Sequence, residues 1–420
     1  MHAFYTIALY LGLVLMLPYY LVRFGKYGPT IRERLGFVDS ERGPTIWLHA
    51  VSVGEVKAVE RLIEGLRIRR PEYRLVVSTT TPTGRELAQK RKDIDRIVYF
   101  PLDLPGAVKR SLDRIRPELV IVAETEIWPN FLRQCKRRGI PVVMVNGRIS
   151  DKSYPRYLFV RRWLRAVLDD YQLLGMQSEM DAERIRAMGA KPEKVVVFGN
   201  MKYDLPASTP TLDPDLGNAL ESLQPLWVAA STAAGEEILV MEAYRRLRRS
   251  NPDLRLLIAP RLTERFDEVA RTLDGDEFRY VRRSANSFDD TDILLLDSIG
   301  ELTAVFEYAT VVFMGGTLVP RGGHNVLEPA RFRKAVVFGP HMENFREMAR
   351  AFLDAGAAVR VGDVVELVRE IQRLLDSPSL AAELGGNGWR LLEKNQGATA
   401  NALQSIEDAL ESSVNGGLPG

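Results

Sequence analysis

Three carboxylates carry the clearest catalytic chemistry in this chain. Glu124 and Glu126 stand two residues apart just after the apolar run Leu119–Ala123, and alternation puts both on one side of an extended strand end. Such a pair suits general acid–base work, and it equally suits capping of a following helix, for which Pro129 occupies an early position. Glu55 follows another apolar run, Ile46–His49, within Ala50–Val51–Ser52–Val53–Gly54–Glu55. Ser52 and Glu55 have the S-x-x-E spacing of a capping box. Thr83 and Glu86 repeat it, so the spacing alone does not separate a cap from a catalytic base. Gly54 favours function, because a glycine in a first helical turn costs helix stability and lets a ligand approach the backbone.

The second half offers a different chemistry. Trp227–Ala230 runs into Ser231–Thr232–Ala233–Ala234–Gly235–Glu236–Glu237, and Val311–Met314 runs into Gly315–Gly316–Thr317, with Arg321–Gly322–Gly323–His324–Asn325 beyond. Small residues at a strand-to-helix turn expose N–H groups at the positive end of a helix, so both turns are expected to hold a phosphate without metal or lysine. Arg261, just after Leu256–Ile258 and Pro260, reads either as a partner for that phosphate or as a solvated charge. Neither G-x-G-x-x-G nor the Walker pattern occurs at these turns, which disfavours nicotinamide-dependent oxidoreductases and P-loop enzymes.

The elements that must position these groups are short apolar runs. The first series is Ile46–His49, Leu75–Ser78, Ile97–Phe100, Leu119–Ala123, Val142–Val145 and Val195–Phe198. The second is Trp227–Ala230, Leu256–Ile258, Ile293–Leu296, Val311–Met314, Val336–Phe338 and Ala357–Val361. Strands apolar on both faces and separated by helical stretches predict parallel sheets, so the fold class is α/β with two tandem, doubly wound, Rossmann-like domains. Ligands of such sheets collect outside the carboxyl ends of the strands, and a cleft between the domains is the expected place. The boundaries read as 24–204 for the first domain, 205–217 for a proline-rich linker, 218–411 for the second domain and 412–420 for a frayed tail.

At 420 residues, 46% hydrophobic and 27% charged, the chain has the means to bury a sizeable core. Disordered, collagen-like and disulfide-stapled classes are excluded. The formal charge of +2 conceals a split: residues 1–204 carry 35 Lys and Arg against 23 Asp and Glu, whereas residues 205–420 carry 22 against 32. A basic first half points to an anionic surface or substrate; no nucleic-acid partner is expected. The single cysteine, Cys135, excludes an internal disulfide and fits a reducing compartment, and four histidines without close pairing argue against a histidine-built metal centre. Phe4–Val22 has no charge and about the ~20-residue length of a membrane-crossing helix. No Lys or Arg precedes it, while Arg23, Lys26, Arg32 and Arg34 follow. Residues 1–23 are therefore expected to form an uncleaved membrane anchor that leaves the rest on the cytoplasmic face, with Pro18 compatible with either crossing or shallow insertion.

In this order, several segments together resemble one family. They are His49–Glu55, Glu124–Asn130, Asn146–Arg148, Gly199–Asp204, Gly315–Thr317, Gly322–Asn325, Leu327–Ala330, and Gly339–His341 with Asn344–Phe345. The family is the 3-deoxy-D-manno-octulosonic acid (Kdo) transferases, CMP-Kdo-dependent glycosyltransferases that extend the lipid A precursor of lipopolysaccharide. The resemblance covers nearly the whole chain. It implies a GT-B fold, with an acceptor-binding N-terminal domain and a nucleotide-binding C-terminal domain, on the cytoplasmic face of a bacterial inner membrane. It also implies inverting, metal-independent transfer from CMP-Kdo, which is a co-substrate and not a cofactor. On this resemblance Glu55 becomes the general base, and Ser52, Gly54, Glu124, Glu126 and Arg148 bind the acceptor. Lys202, Ser231, Thr232, Arg261, Gly315, Gly316, Gly323, His324, Asn325 and Glu328 then bind the donor, with turn amides on its phosphate and Glu328 on its ribose. The chain departs from the family where S-T-H and P-R-H usually stand, having Ala233 and Leu262 in place of the histidines. That departure keeps a related GT-B transferase with a UDP-sugar donor and a lipid acceptor as the alternative.

Overall fold

The structure, a computed structural model, describes residues 2–22, 24–205, 211–288 and 291–415. Met1 and Arg23 of the expected anchor, 206–210 of the linker and 416–420 of the tail lie outside these. The chain divides into two compact units, Met1–Asp204 with Asn395–Gly420, and Leu205–Lys394.

In the first unit, seven strands form one parallel sheet. They are β1 (Thr45–His49), β2 (Arg74–Thr79), β3 (Arg96–Tyr99), β4 (Leu119–Ala123), β5 (Val142–Gly147), β6 (Leu173–Met176) and β7 (Val195–Val197), in the order β3-β2-β1-β4-β5-β6-β7. The runs are apolar throughout because both faces are covered. Trp47, Val76 and Val120 pack with Phe131 and Leu164 on one face, while Ile46, Leu48, Val77 and Ile121 pack with Leu62 and Ile63 on the other. Strand order reverses between β1 and β4, so the loops leaving their carboxyl ends part and leave a crevice. The segments that leave those ends carry Glu55, in the first turn of a helix, and Glu124 and Glu126.

The second unit repeats the plan. Strands β8 (Leu226–Thr232), β9 (Arg255–Pro260), β10 (Tyr280–Arg282), β11 (Ile293–Leu295), β12 (Val311–Met314), β13 (Ala335–Phe338) and β14 (Ala358–Arg360) lie parallel in the order β10-β11-β9-β8-β12-β13-β14. The reversal falls between β8 and β12, the two strands whose turns were read as phosphate sites. All twelve apolar runs form strands. β6 and β10 were not expected: the first contains Gly175 and no β-branched residue, and the second is a three-residue edge strand with only partly buried side chains.

Three boundaries are corrected. Pro214–Ser222 is a helix, because Pro214 stands at its first position and the Asp213 carboxylate accepts the Asp215 N–H at 2.9 Å, so 214–217 is not linker. The last helix, Ala398–Asn415, extends into the expected tail and belongs to the first unit, not the second. Its Ala398, Ala402, Leu403, Ile406 and Leu410 are buried among Leu62, Ile63 and Leu66 on the first sheet. Asp204 holds its start by accepting the Gly397 and Thr399 N–H groups at 2.7 and 2.6 Å. His2–Val22 forms a helix, yet among the described residues no helix is long and apolar enough to cross a membrane; the expected membrane anchor is not shown.

Candidate functional site

Glu55 is the third residue of the helix Val53–Ala58, and the capping box its spacing suggested is not formed. Ser52 is extended and makes no side-chain cap. The Glu55 carboxylate instead accepts the Val51 N–H at 2.6 Å and lies 3.4 Å from the Ser52 hydroxyl. Burial pushes its pKa up to about 8, and the charges of Glu124 and Glu126 push the same way. Gly54 has no neighbour nearer than 3.8 Å to an added Cβ, so packing does not demand a glycine there and the space is open to a ligand.

The second pair is set by β4 and β5. Glu124 has φ +55°, a left-handed conformation that strand ends seldom tolerate outside glycine. Thr125 fixes this turn: its hydroxyl donates to the Arg148 carbonyl at 2.5 Å and accepts the Arg148 N–H at 2.8 Å. Glu126, whose carbonyl accepts the Tyr171 hydroxyl, has its pKa raised to about 7, chiefly by burial and then by Glu124. Glu124, Thr125, Glu126, Arg148, Ser150, Ser153 and Tyr157 line a cavity of about 180 Å³. Hydroxyls, carboxylates and one guanidinium around such a space match a polyhydroxylated ligand such as a sugar. Ser150, Ser153 and Tyr157, which lie just before and within the helix Tyr154–Phe159, were not singled out in sequence, because no motif marks them. Lys202, expected with the donor groups, is in the first unit, its Nζ 3.6 Å from Glu124.

His49, at the end of β1, is structural. Its ring is fully buried, stacked on Phe100 at 3.8 Å, with Nδ1 3.0 Å from the Ser78 hydroxyl. Burial lowers its pKa to about 3 and keeps it neutral.

At the equivalent place in the second unit, the groups expected to hold phosphate are largely committed elsewhere. The Glu236 carboxylate is fully buried and accepts the N–H groups of Gly316, Thr317 and Leu318 at 2.6, 2.9 and 2.8 Å, and that of Ala233 at 3.1 Å. The Gly315 N–H donates to Ala230 and the Gly323 N–H to Gly316. The turn after β12 is thus an anion site already filled by a residue of the chain, and the expectation that its amides hold a phosphate is corrected. Nor is Thr232 available, since its hydroxyl donates to Glu237, which also receives Arg265 at 2.6 and 3.0 Å. Gly315 is required by packing, as a Cβ would lie 2.7 Å from the Ser231 carbonyl. Gly316 has φ +68°, and a Cβ there would meet the His324 ring at 3.0 Å. Glu236 stood in the quoted sequence run, but nothing in its spacing distinguished it from the neighbouring Glu237.

What remains around this turn still suits a nucleotide. Glu328 accepts the Thr303 hydroxyl at 3.0 Å and bonds Asn325; burial raises its pKa while Arg261 draws it down. The N–H groups of Ala234 and Gly235, exposed before the helix Glu236–Ser250, donate to no acceptor among the described residues.

Residues 29–205 match the family described as 3-Deoxy-D-manno-octulosonic-acid transferase (kdotransferase). The chain is 35% identical over 407 residues to the 3-deoxy-D-manno-octulosonic acid transferase of Haemophilus influenzae, covering 94% of each chain. It is 31% identical over 380 residues to that of Bordetella pertussis, covering 87% of each. A solved structure, a putative UDP-N-acetylglucosamine 2-epimerase from Listeria monocytogenes, shares the two-domain GT-B-like fold with a TM-score of 0.52 at 16% identity, covering 89% of this chain and 98% of that one. With a parallel seven-stranded sheet in each unit and relatives matched over most of their length, the chain belongs to the 3-deoxy-D-manno-octulosonic-acid transferases, a glycosyltransferase family.

Proposed function

We propose that this protein transfers Kdo from CMP-Kdo to a lipid A precursor in lipopolysaccharide biosynthesis, with inversion, without a metal, and with Glu55 as general base. The observation that carries the reading is the state of Glu55: a carboxylate at the switch point of the first sheet, given one N–H and one hydroxyl, and pressed by two further carboxylates. Its pKa of about 8 suits removal of a proton near neutral pH. As the acceptor oxygen bonds to the anomeric carbon, its proton passes to Glu55, and the bond from that carbon to phosphate breaks to release CMP. Glu124, Glu126 and Arg148, on the cavity beside Glu55's neighbours, bind the acceptor sugar. Ser52 steadies the Glu55 carboxylate and Gly54 leaves room for the attacking group.

In the second unit Glu328 takes the ribose hydroxyls. The phosphate falls to Arg261 and to the N–H groups of Ala234 and Gly235, with Ser231 at the same turn. His324, Asn325 and Gly323 shape the nucleotide's surroundings. Lys202, beside Glu124, tempers the acidic cluster. The excess of basic residues in the first half and the uncharged N-terminal helix support a place on the cytoplasmic face of the inner membrane.

A UDP-sugar donor is the second reading, favoured by Ala233 and Leu262; the latter is half exposed beside Arg261 and offers no polar group. Incubation with CMP-Kdo and a lipid A precursor, with chelator present, should give a product heavier by Kdo in the mass spectrometer. Turnover with a UDP-sugar and none with CMP-Kdo would select the second reading, and loss of turnover in chelator would refute metal independence.

A further inference from the structure

Glu124, just after β4, and Asn146, near the end of β5, both have φ +55°. The two strands run side by side only as far as Ala123 and Val145, and the Glu124 N–H still reaches the Val145 carbonyl at 2.9 Å. Past these left-handed turns the ladder stops, and the main-chain groups that follow need other partners. At Arg148 and Ile149 every one of them has a side chain. The Thr125 hydroxyl takes both groups of Arg148, accepting the N–H at 2.8 Å and donating to the carbonyl at 2.5 Å. The Ile149 N–H donates to the buried Asp181 carboxylate at 2.8 Å, and the Ile149 carbonyl accepts the Arg184 guanidinium at 2.6 Å. Four consecutive main-chain groups are thus fixed by three side chains from elsewhere in the chain.

These three do different things. Asp181 and Arg184 both belong to the helix Glu179–Ala187, so they fix the segment after β5 to that helix. Thr125 fixes it to the segment after β4. The cavity of about 180 Å³ draws its lining from those same two segments, Glu124, Thr125 and Glu126 on one and Arg148, Ser150, Ser153 and Tyr157 on the other. Thr125 therefore sets where Arg148 stands relative to the two carboxylates. A hydroxyl has a single proton, and that of Thr125 is spent on the Arg148 carbonyl, so none is left to donate to a sugar. Hydrogen bonds from a guanidinium to a bound ligand weaken steeply with misalignment, and a shift of about 1 Å in its backbone is enough to lose them.

We propose that Thr125 is a positioning residue of the acceptor site: it holds Arg148 in register with Glu124 and Glu126, and acceptor binding depends on it through Arg148 and not through a contact of its own. The proposal rests on the reading of this cavity as the acceptor site.

Thr125→Val keeps the β-branched shape and removes both bonds, whereas Thr125→Ser keeps them. Thr125→Ala is a second variant that removes the bonds without placing a methyl group in their stead. Each is first checked for an unchanged melting temperature. Calorimetry then measures binding of the deacylated disaccharide headgroup of the lipid A precursor, with no donor present. Affinity should fall about tenfold in Thr125→Val and Thr125→Ala, stay within about twofold in Thr125→Ser, and fall no further when Thr125→Val is added to Arg148→Ala. In Kdo transfer, Thr125→Val should raise the acceptor KM by the same factor, with kcat within about threefold and the KM for CMP-Kdo unchanged. Wild-type affinity in the Val and Ala variants, or a further loss of about tenfold in the Arg148→Ala background, overturns the proposal. Thr125-dependent binding of the headgroup without Kdo transfer by wild type instead refutes the transferase reading and leaves the role of Thr125 standing. A wild type that does not bind the headgroup overturns both.

Discussion

The two units share a topology and place a carboxylate after the equivalent strand, Glu55 after β1 and Glu236 with Glu237 after β8, yet treat them in opposite ways. In the second unit Glu236 receives four N–H groups and Glu237 a bidentate guanidinium, so each buried charge is matched where it stands. In the first, Glu55 has one N–H and one distant hydroxyl, and the charges of Glu124 and Glu126 act on it with its own sign. A matched carboxylate is scaffold; it fixes two turns against each other and has no capacity left for substrate. An under-compensated one is held ready to take a proton. The difference lies in the partners, not in burial, which both share.

The largest effect expected of this contrast is chemical. Glu55→Gln should lower Kdo transfer by about 10²–10⁴ and leave CMP binding by calorimetry unchanged; undiminished transfer would remove Glu55 from the reaction. Glu236→Ala should instead act on structure: it strands buried N–H groups and should cost about 3 kcal/mol or more of stability in chemical denaturation, with CMP affinity falling as the turn loosens. A fully stable variant would show that Glu236 is no latch. Smaller is Asp204→Ala, expected to cost about 1–2 kcal/mol and to hasten hydrogen exchange in Ala398–Asn415. Separate from these is a pH effect on stability. Because the fold raises the pKa of Glu55 from 4.5 to about 8, its contribution is fully present below pH 4.5 and is lost as pH rises through 8. Glu55→Gln should therefore gain in melting temperature relative to wild type above pH 8 and not at pH 5.

Much of this was legible from residue types. Continuous apolar runs reported twelve strands, since a parallel strand covered on both faces has no other composition available to it. The three carboxylates were found because they follow such runs. What stayed hidden depends on contacts distant in sequence. The return of Ala398–Asn415 to the first sheet is settled by Asp204 and by Leu403 meeting Gly65, pairs about 200 and 340 positions apart in the chain. Glu236 filling the Gly316–Leu318 turn spans 80 positions or more. A glycine-rich turn in sequence shows only that amides are exposed to something; whether that is a ligand or a carboxylate of the same chain is decided by tertiary structure. The capping box failed locally: Glu55 accepts the Val51 N–H, one residue before the expected cap, at 2.6 Å.

The pH dependence of kcat/KM for Kdo transfer, in wild type and in Glu126→Gln, tests most directly that Glu55 is a base tuned by its neighbours, because it reports the ionisation of the free enzyme. Wild type should gain activity as pH rises, with a midpoint near 8, and removing the Glu126 charge should move that midpoint down by about half a unit or more. A rate flat across that range, or a midpoint that Glu126→Gln leaves in place, would contradict it.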